Sequence, residues 1–229
     1  MTDNKYSAFI RERLETGRMT EAIETSEAIG SPLSKEELEK YLYEYLEKGW
    51  MDKAVQGSKA AKIELSDDIL TSYLDKYLDE EQVYSAIKGS KVIGVSLPEN
   101  KLIETGRKCF LKGKFHTGLD AYKKTSRTPQ KDELIICGNK CFSEGQLGHG
   151  LEAYKMANTT PHDKELIICG NRCFDEGWSK RALEAYDMAN EIPPKDKLIA
   201  CAKKCLHEQR HEEAKMVFLK VFELYPEVS

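Results

Sequence analysis

Residues 135–145 read IICGNKCFSEG and residues 167–177 read IICGNRCFDEG, so one phrase recurs after 32 residues. The leucine just before it anchors a longer series. Leu102, Leu134, Leu166 and Leu198 are evenly spaced, and the spacing continues backwards through Leu70 and Leu38 to Tyr6. Seven units of 32 residues therefore run from Tyr6 to Ser229. A period of this size is the mark of stacked supersecondary units.

Counting each unit from its leucine or tyrosine as position 1 exposes the grammar. Position 12 is Gly17, Gly49, Gly113, Gly145 and Gly177, with Glu81 and Gln209 as the exceptions. Position 17 is small throughout: Ala22, Ala54, Ala86, Gly118, Gly150, Ala182 and Ala214. Prolines cluster at the unit's end, as at Pro129, Pro161 and Pro193. Apolar residues at positions 1, 4–5, 8 and 9 keep helical spacing before the glycine, and Ala182, Leu183, Ala185, Tyr186 and Ala189 keep it afterwards. No window alternates as a strand would. Glycine ends the first helix by accepting positive φ, and proline stops the second. One such hairpin cannot bury its own apolar face, so the units must stack. The expectation is an all-α chain.

The composition narrows the function. The 35 basic and 39 acidic residues give a net charge of −4, which argues against a protein devoted to gripping phosphate backbones. No apolar run approaches the ~20 residues that cross a bilayer, and MTDNKYSAFIRERLE lacks the pattern of a secretion signal. Seven cysteines, none among the first 108 residues, then read as reduced thiols of a cytoplasmic protein.

Gly138, Cys141, Gly145, Gly150, Tyr154, Ala157 and Pro161 together resemble the tetratricopeptide repeat. The resemblance spans the chain and is strongest from Leu102 onward. It implies a right-handed α-solenoid of seven stacked helix–turn–helix repeats. Units 1–3 (residues 1–101) diverge, carrying Ile10, Leu42 and Leu74 where the family prefers glycine, and units 4–7 (residues 102–229) continue the same solenoid.

The cysteines fall at position 4 (Cys137, Cys169, Cys201) and position 8 (Cys109, Cys141, Cys173, Cys205). Units 1–3 place Phe9, Tyr41 and Tyr73, then Arg13, Tyr45 and Tyr77, at the same sites. A position that takes mostly aromatics or cysteine reads as helix packing, since a free thiol behaves as a small hydrophobe. Thiolate ligation of a metal is the competing reading. His207-Glu208-Gln209-Arg210-His211 also spells H-E-x-x-H, a zinc-protease motif that needs one continuous helix. Here it straddles the turn at position 12, so it reads as a chance match. No catalytic residue and no cofactor are expected.

By the resemblance, positions 2, 6, 9 and 10 of the first helices line a concave groove. In units 4–7 that gives Ile135 and Ile167 with Phe142 and Phe174 as walls, around a row of Arg107, Asn139, Asn171 and Lys203. Asparagine can donate to and accept from a peptide, and the flanking cations suit a carboxylate. Asn139, Asn171 and Lys203 resemble the family's carboxylate clamp, whose lysines at position 2 are replaced here by Ile135 and Ile199. The expected function is a non-enzymatic scaffold for a peptide or protein segment, carboxylate-terminated by the clamp resemblance. The bland alternative makes the isoleucines and phenylalanines stack core. RNA binding of the pentatricopeptide kind is the other alternative, carried by Lys108, Lys140, Arg172 and Lys204 at position 7. Isoleucine at position 2 cannot read a base edge.

The last helix breaks the pattern. Met216, Leu219 and Phe222 stand where units 5 and 6 carry Glu152 and Glu184, Lys155 and Asp187, and Asn158 and Asn190. An outward apolar strip calls for a partner, and homodimerisation through this helix is the expectation.

Overall fold

The computed structural model describes residues 3–226, and among them there are fourteen helices and no strand. The helices come in successive pairs: α1 (Asp3–Glu15) with α2 (Met19–Ala28), α3 (Lys35–Glu47) with α4 (Met51–Ala61), and α5 (Asp67–Asp79) with α6 (Val83–Ile93). Next are α7 (Glu99–Leu111) with α8 (Phe115–Tyr122), α9 (Lys131–Ser143) with α10 (Leu147–Met156), α11 (Asp163–Asp175) with α12 (Ser179–Met188), and α13 (Lys195–His207) with α14 (His211–Leu224). The architecture is that of a helical repeat.

The turn inside each pair is made at position 12. All seven residues there have left-handed φ: Gly17, Gly49, Gly113, Gly145 and Gly177, and also Glu81 (+60°) and Gln209 (+59°). At Gly145 the chain closes a Schellman turn, with Gln146 N–H donating to the Cys141 carbonyl at 2.9 Å. Arg210 N–H donates to the Cys205 carbonyl at 2.8 Å in the same way, so Gln209 makes the glycine's turn without being one. A second left-handed residue ends five of the second helices, at Gly30, Lys62, Gly94, Asn158 and Asn190. Phe222 holds the corresponding place in the last unit and stays helical, so α14 runs on to Leu224.

The chain divides into two compact units. One extends through Thr105 and includes Lys124–Ser126, and the other takes Gly106–Lys123 and the chain from Arg127 onward. Each stacks its helix pairs differently. In the N-terminal unit the second helices α2, α4 and α6 lie close together. Gly57 of α4 sits against Met19 of α2, and Gly89 of α6 against Met51 of α4, where an added Cβ would come within 2.9 Å and 2.8 Å of the methionine sulfur. In the C-terminal unit the first helices α9, α11 and α13 are the close row. The second helices α10, α12 and α14 stand further apart, leaving clefts of about 330 Å³ between α10 and α12 and about 820 Å³ between α12 and α14.

Position 8 accounts for the difference. Tyr45 and Tyr77 are fully buried, and their hydroxyls donate short hydrogen bonds to the carbonyls of Leu14 and Leu46 in the preceding first helix. A tyrosine ring between neighbouring first helices keeps them apart. Cysteine there does not: the thiols of Cys141, Cys173 and Cys205 reach the carbonyls of Gly113, Gly145 and Gly177 at 3.4, 3.3 and 3.7 Å.

Within the C-terminal pairs, aromatic rings lock the two helices together. Phe110 stacks on Tyr122, Phe142 on Tyr154 and Phe174 against Tyr186, with centroids 5.7, 5.7 and 5.8 Å apart. Gly138 and Gly170 lie under those tyrosines, where a Cβ would meet the ring at 2.6 Å. The helix-weakening glycine is therefore a requirement of close approach.

Left-handed conformation costs an L-residue roughly 1–2 kcal/mol relative to glycine. Gln209→Gly should therefore raise stability by about 1 kcal/mol in urea denaturation, and Gln209→Val should lower it. Equal midpoints for all three chains would contradict the strained turn.

Candidate functional site: the exposed face of the first helices

The buried arc of α9 and α11 comprises positions 1, 4, 5, 8 and 9, while on α13 position 9 is Leu206 and is exposed. On α9 these are Leu134, Cys137, Gly138, Cys141 and Phe142, and on α11 Leu166, Cys169, Gly170, Cys173 and Phe174. The opposite arc, positions 3, 6, 7 and 10, is presented outward at the i, i+3, i+4, i+7 spacing of one helical face.

This corrects the expected wall residues. Phe142 and Phe174 are 0% and 2% exposed and face their own second helix, where position 17 is small. Burying each contributes about 1.5–3 kcal/mol to the fold, not to a ligand. Ile135 and Ile167 are half-buried against the core and serve the stack. The exposed isoleucines are their neighbours, Ile136 (45%) and Ile168 (41%). The sequence held the signal for this. Position 9 already belonged to the apolar phase of positions 1, 4–5 and 8, so it could not also face outward.

The polar row is more differentiated than its sequence. The Tyr154 hydroxyl donates to Asn139 Oδ1 at 2.6 Å, and the Tyr186 hydroxyl donates to Asn171 Oδ1 at 2.9 Å. Burial raises both tyrosine pKa values, keeping the hydroxyls protonated as donors. Each amide oxygen thus accepts from a tyrosine, which leaves the NH₂ group as the donor to offer a ligand. Asn139 and Asn171 are donors, rather than the donor–acceptor groups expected from sequence. In the next pair Phe218 replaces the tyrosine and Lys203 replaces the asparagine, and Lys203 is exposed on α13.

Arg107 behaves otherwise. Its guanidinium pairs with Glu133 at 2.6 Å, and Glu133 also accepts from the Tyr122 hydroxyl at 2.7 Å and from the Gln130 N–H at 2.9 Å. Burial, reinforced by this carboxylate, pushes the Tyr122 hydroxyl up to about 12. Arg107 is committed to tying α7 to the first turn of α9 and does not join the open row. Position 7 is likewise engaged: Lys140 pairs with Glu144 at 3.0 Å, Arg172 with Glu176 at 2.7 Å, and Lys204 with Glu176 at 3.7 Å.

All seven cysteines are free, buried, and at most 1% exposed. The hydrogen bond from Cys141 and burial push the Cys137 thiol up, and Cys173 and burial do the same for Cys169. Burial beside Cys205 lifts Cys201 to about 12. Cys137, Cys169 and Cys201 are thus protonated packing groups, and the hydrogen bonds they make pull Cys141 and Cys173 the other way. Among the described residues no group of three or more His, Cys, Asp or Glu is placed to hold a metal ion. In the H-E-x-x-H stretch His207 ends α13 and His211 begins α14, on opposite sides of the left-handed Gln209. The single helix that motif requires is not formed. Among the described residues no helix is long and apolar enough to cross a membrane.

The strip on α14 is partly as expected. Leu219 (59%) and Phe222 (46%) are exposed, while Met216 is half-buried beside Leu219 in the cleft shared with α12.

The thiols give a direct check. At neutral pH a colorimetric thiol reagent should leave the native chain unreacted and then titrate seven groups once urea unfolds it. Fast native labelling of Cys141 or Cys173 would contradict their packing role.

No known family model matches the chain, and no curated protein matches it significantly. The likeness to tetratricopeptide repeats therefore rests on the residue pattern and the helix pairing.

Proposed function

We propose that the chain is a right-handed, tetratricopeptide-like solenoid of seven repeats that works as a non-enzymatic cytoplasmic scaffold. It holds a peptide segment across the exposed face of the first helices in units 4–7. The observation that carries this reading is the row formed on α9 and α11. Two amides whose oxygens are held by Tyr154 and Tyr186 share the outward helical arc with two exposed isoleucines, Ile136 and Ile168. A fixed donor loses little freedom on binding, and an apolar neighbour supplies burial. Lys203 adds a cation at the next helix.

The chemistry selects the ligand class. Amide donors and a lysine favour an acceptor-rich partner, a peptide carbonyl or carboxylate, with an apolar side chain for Ile136 and Ile168. Three of the four position-7 cations that carried the RNA alternative, Lys140, Arg172 and Lys204, are paired with Glu144 and Glu176. That supports a peptide over a phosphate backbone.

Asn139→Asp with Asn171→Asp isolates the donors. Aspartate still accepts from Tyr154 and Tyr186 but cannot donate, so the fold is kept while the row changes sign. Peptides with free carboxyl termini should be selected from a displayed library on the full chain, then measured against this double variant. The expected loss is at least about tenfold, the scale of a charge-assisted hydrogen bond at each site. Ile136→Glu with Ile168→Glu should weaken the same peptides. A library that yields no binder, or binders indifferent to both variants, would contradict the proposal.

A further inference from the structure

The cleft between α12 and α14 lies on the second helices, and Tyr186, whose hydroxyl holds Asn171, is among its lining residues. Its floor is apolar, built from Leu183 and Ile192 on one side and Met216, Leu219 and Leu224 on the other. Ile192 and Leu219 are 62% and 59% exposed, and the opening measures about 820 Å³. The cleft exists because the second helices of this unit are the open row.

Its rim is unbalanced. Glu184, Asp187, Glu191, Glu212 and Glu223 line it, against Lys215 and Lys220. Lys220 is already tied to Glu223 at 2.7 Å. Four carboxylates therefore face the cleft with one remaining lysine among the lining residues.

We infer that this cleft is a docking groove for a basic amphipathic helix of another protein, with its apolar stripe on Leu183, Met216 and Leu219 and its lysines or arginines against the acidic rim. Two physical arguments fix the occupant. The floor is made of side chains between two helices and offers no sheet edge to an extended strand. A helix, which satisfies its own backbone hydrogen bonds, is the segment that best suits such a floor. The rim then sets the sign. Isologous pairing of two copies would bring two acid-rich rims together, and like-charge juxtaposition disfavours it. An anionic membrane surface is disfavoured for the same reason. The homodimer expected from the apolar strip is thus the less favoured use of this face.

The test uses the full chain and two displayed libraries of helical peptides. They share one apolar stripe of i, i+3, i+4, i+7 positions, and one carries Lys/Arg on its flanks where the other carries Glu/Asp. The basic library should be enriched, and the affinity of the selected peptides should fall with added salt. Leu219→Glu should weaken them at least tenfold, with an unchanged circular-dichroism melt showing that this exposed position has not unfolded the protein. Glu184→Lys with Asp187→Lys should shift selection towards the acidic library. Ile136→Glu with Ile168→Glu should leave the basic peptides bound, which separates this surface from the first-helix face. Enrichment of neither library, or of both equally, would overturn the inference. So would sedimentation showing a dimer that Leu219→Glu dissociates while neither library binds, because the groove would then belong to a second copy.

Discussion

The side chain at position 8 sits where one first helix meets the next, and the two stacking arrangements turn on its size. Tyrosine spans the gap with its ring and closes it with a hydroxyl–carbonyl hydrogen bond, from Tyr45 to Leu14 and from Tyr77 to Leu46. Cysteine fills a shorter distance with one sulfur, against the carbonyls of Gly113, Gly145 and Gly177. Both answers satisfy the same need, an interface with no void and no unpaired carbonyl. They do so at different helix separations. Where the first helices are held apart, glycines at 57 and 89 let the second helices close up. Where the first helices close up, the second helices open, and the cleft of about 820 Å³ lies there between α12 and α14.

The functional surfaces follow from that choice. In the C-terminal unit, close packing of α9, α11 and α13 sets their outward arcs side by side, so Asn139 and Asn171 form a row with Ile136 and Ile168 one turn earlier on the same helices. The same packing leaves α12 and α14 parted over an apolar floor with an acidic rim. Tyr154 and Tyr186 connect core to surface. Their rings lie over Gly138 and Gly170, while their hydroxyls orient the amides that are offered to a ligand.

Much of this was legible from the repeat itself. The 32-residue period, the small residue at position 17 and the turn at position 12 specify helix pairs, and the turn holds at Glu81 and Gln209, which carry no glycine. The cysteines' packing role was legible because aromatics share their positions. The groove walls were misplaced for an identifiable reason. Phe142 and Phe174 lie in the buried phase of their helix, and a family-derived list of outward positions overrode it. Two features are invisible in one dimension. The use of Asn139 and Asn171 oxygens by tyrosines fifteen residues away depends on pairing across the turn. The exchange of close and open rows depends on the size of the position-8 side chain together with the room left by Gly57 and Gly89.

A pair of crystal structures tests the central claim most directly: the wild type, and the chain carrying Tyr45→Cys with Tyr77→Cys. The account predicts that α3 and α5 stand further apart than α9 and α11 in the wild type. In the variant, α3 and α5 should move together while α4 and α6 separate. First helices that keep their wild-type separation after both tyrosines are removed would contradict it.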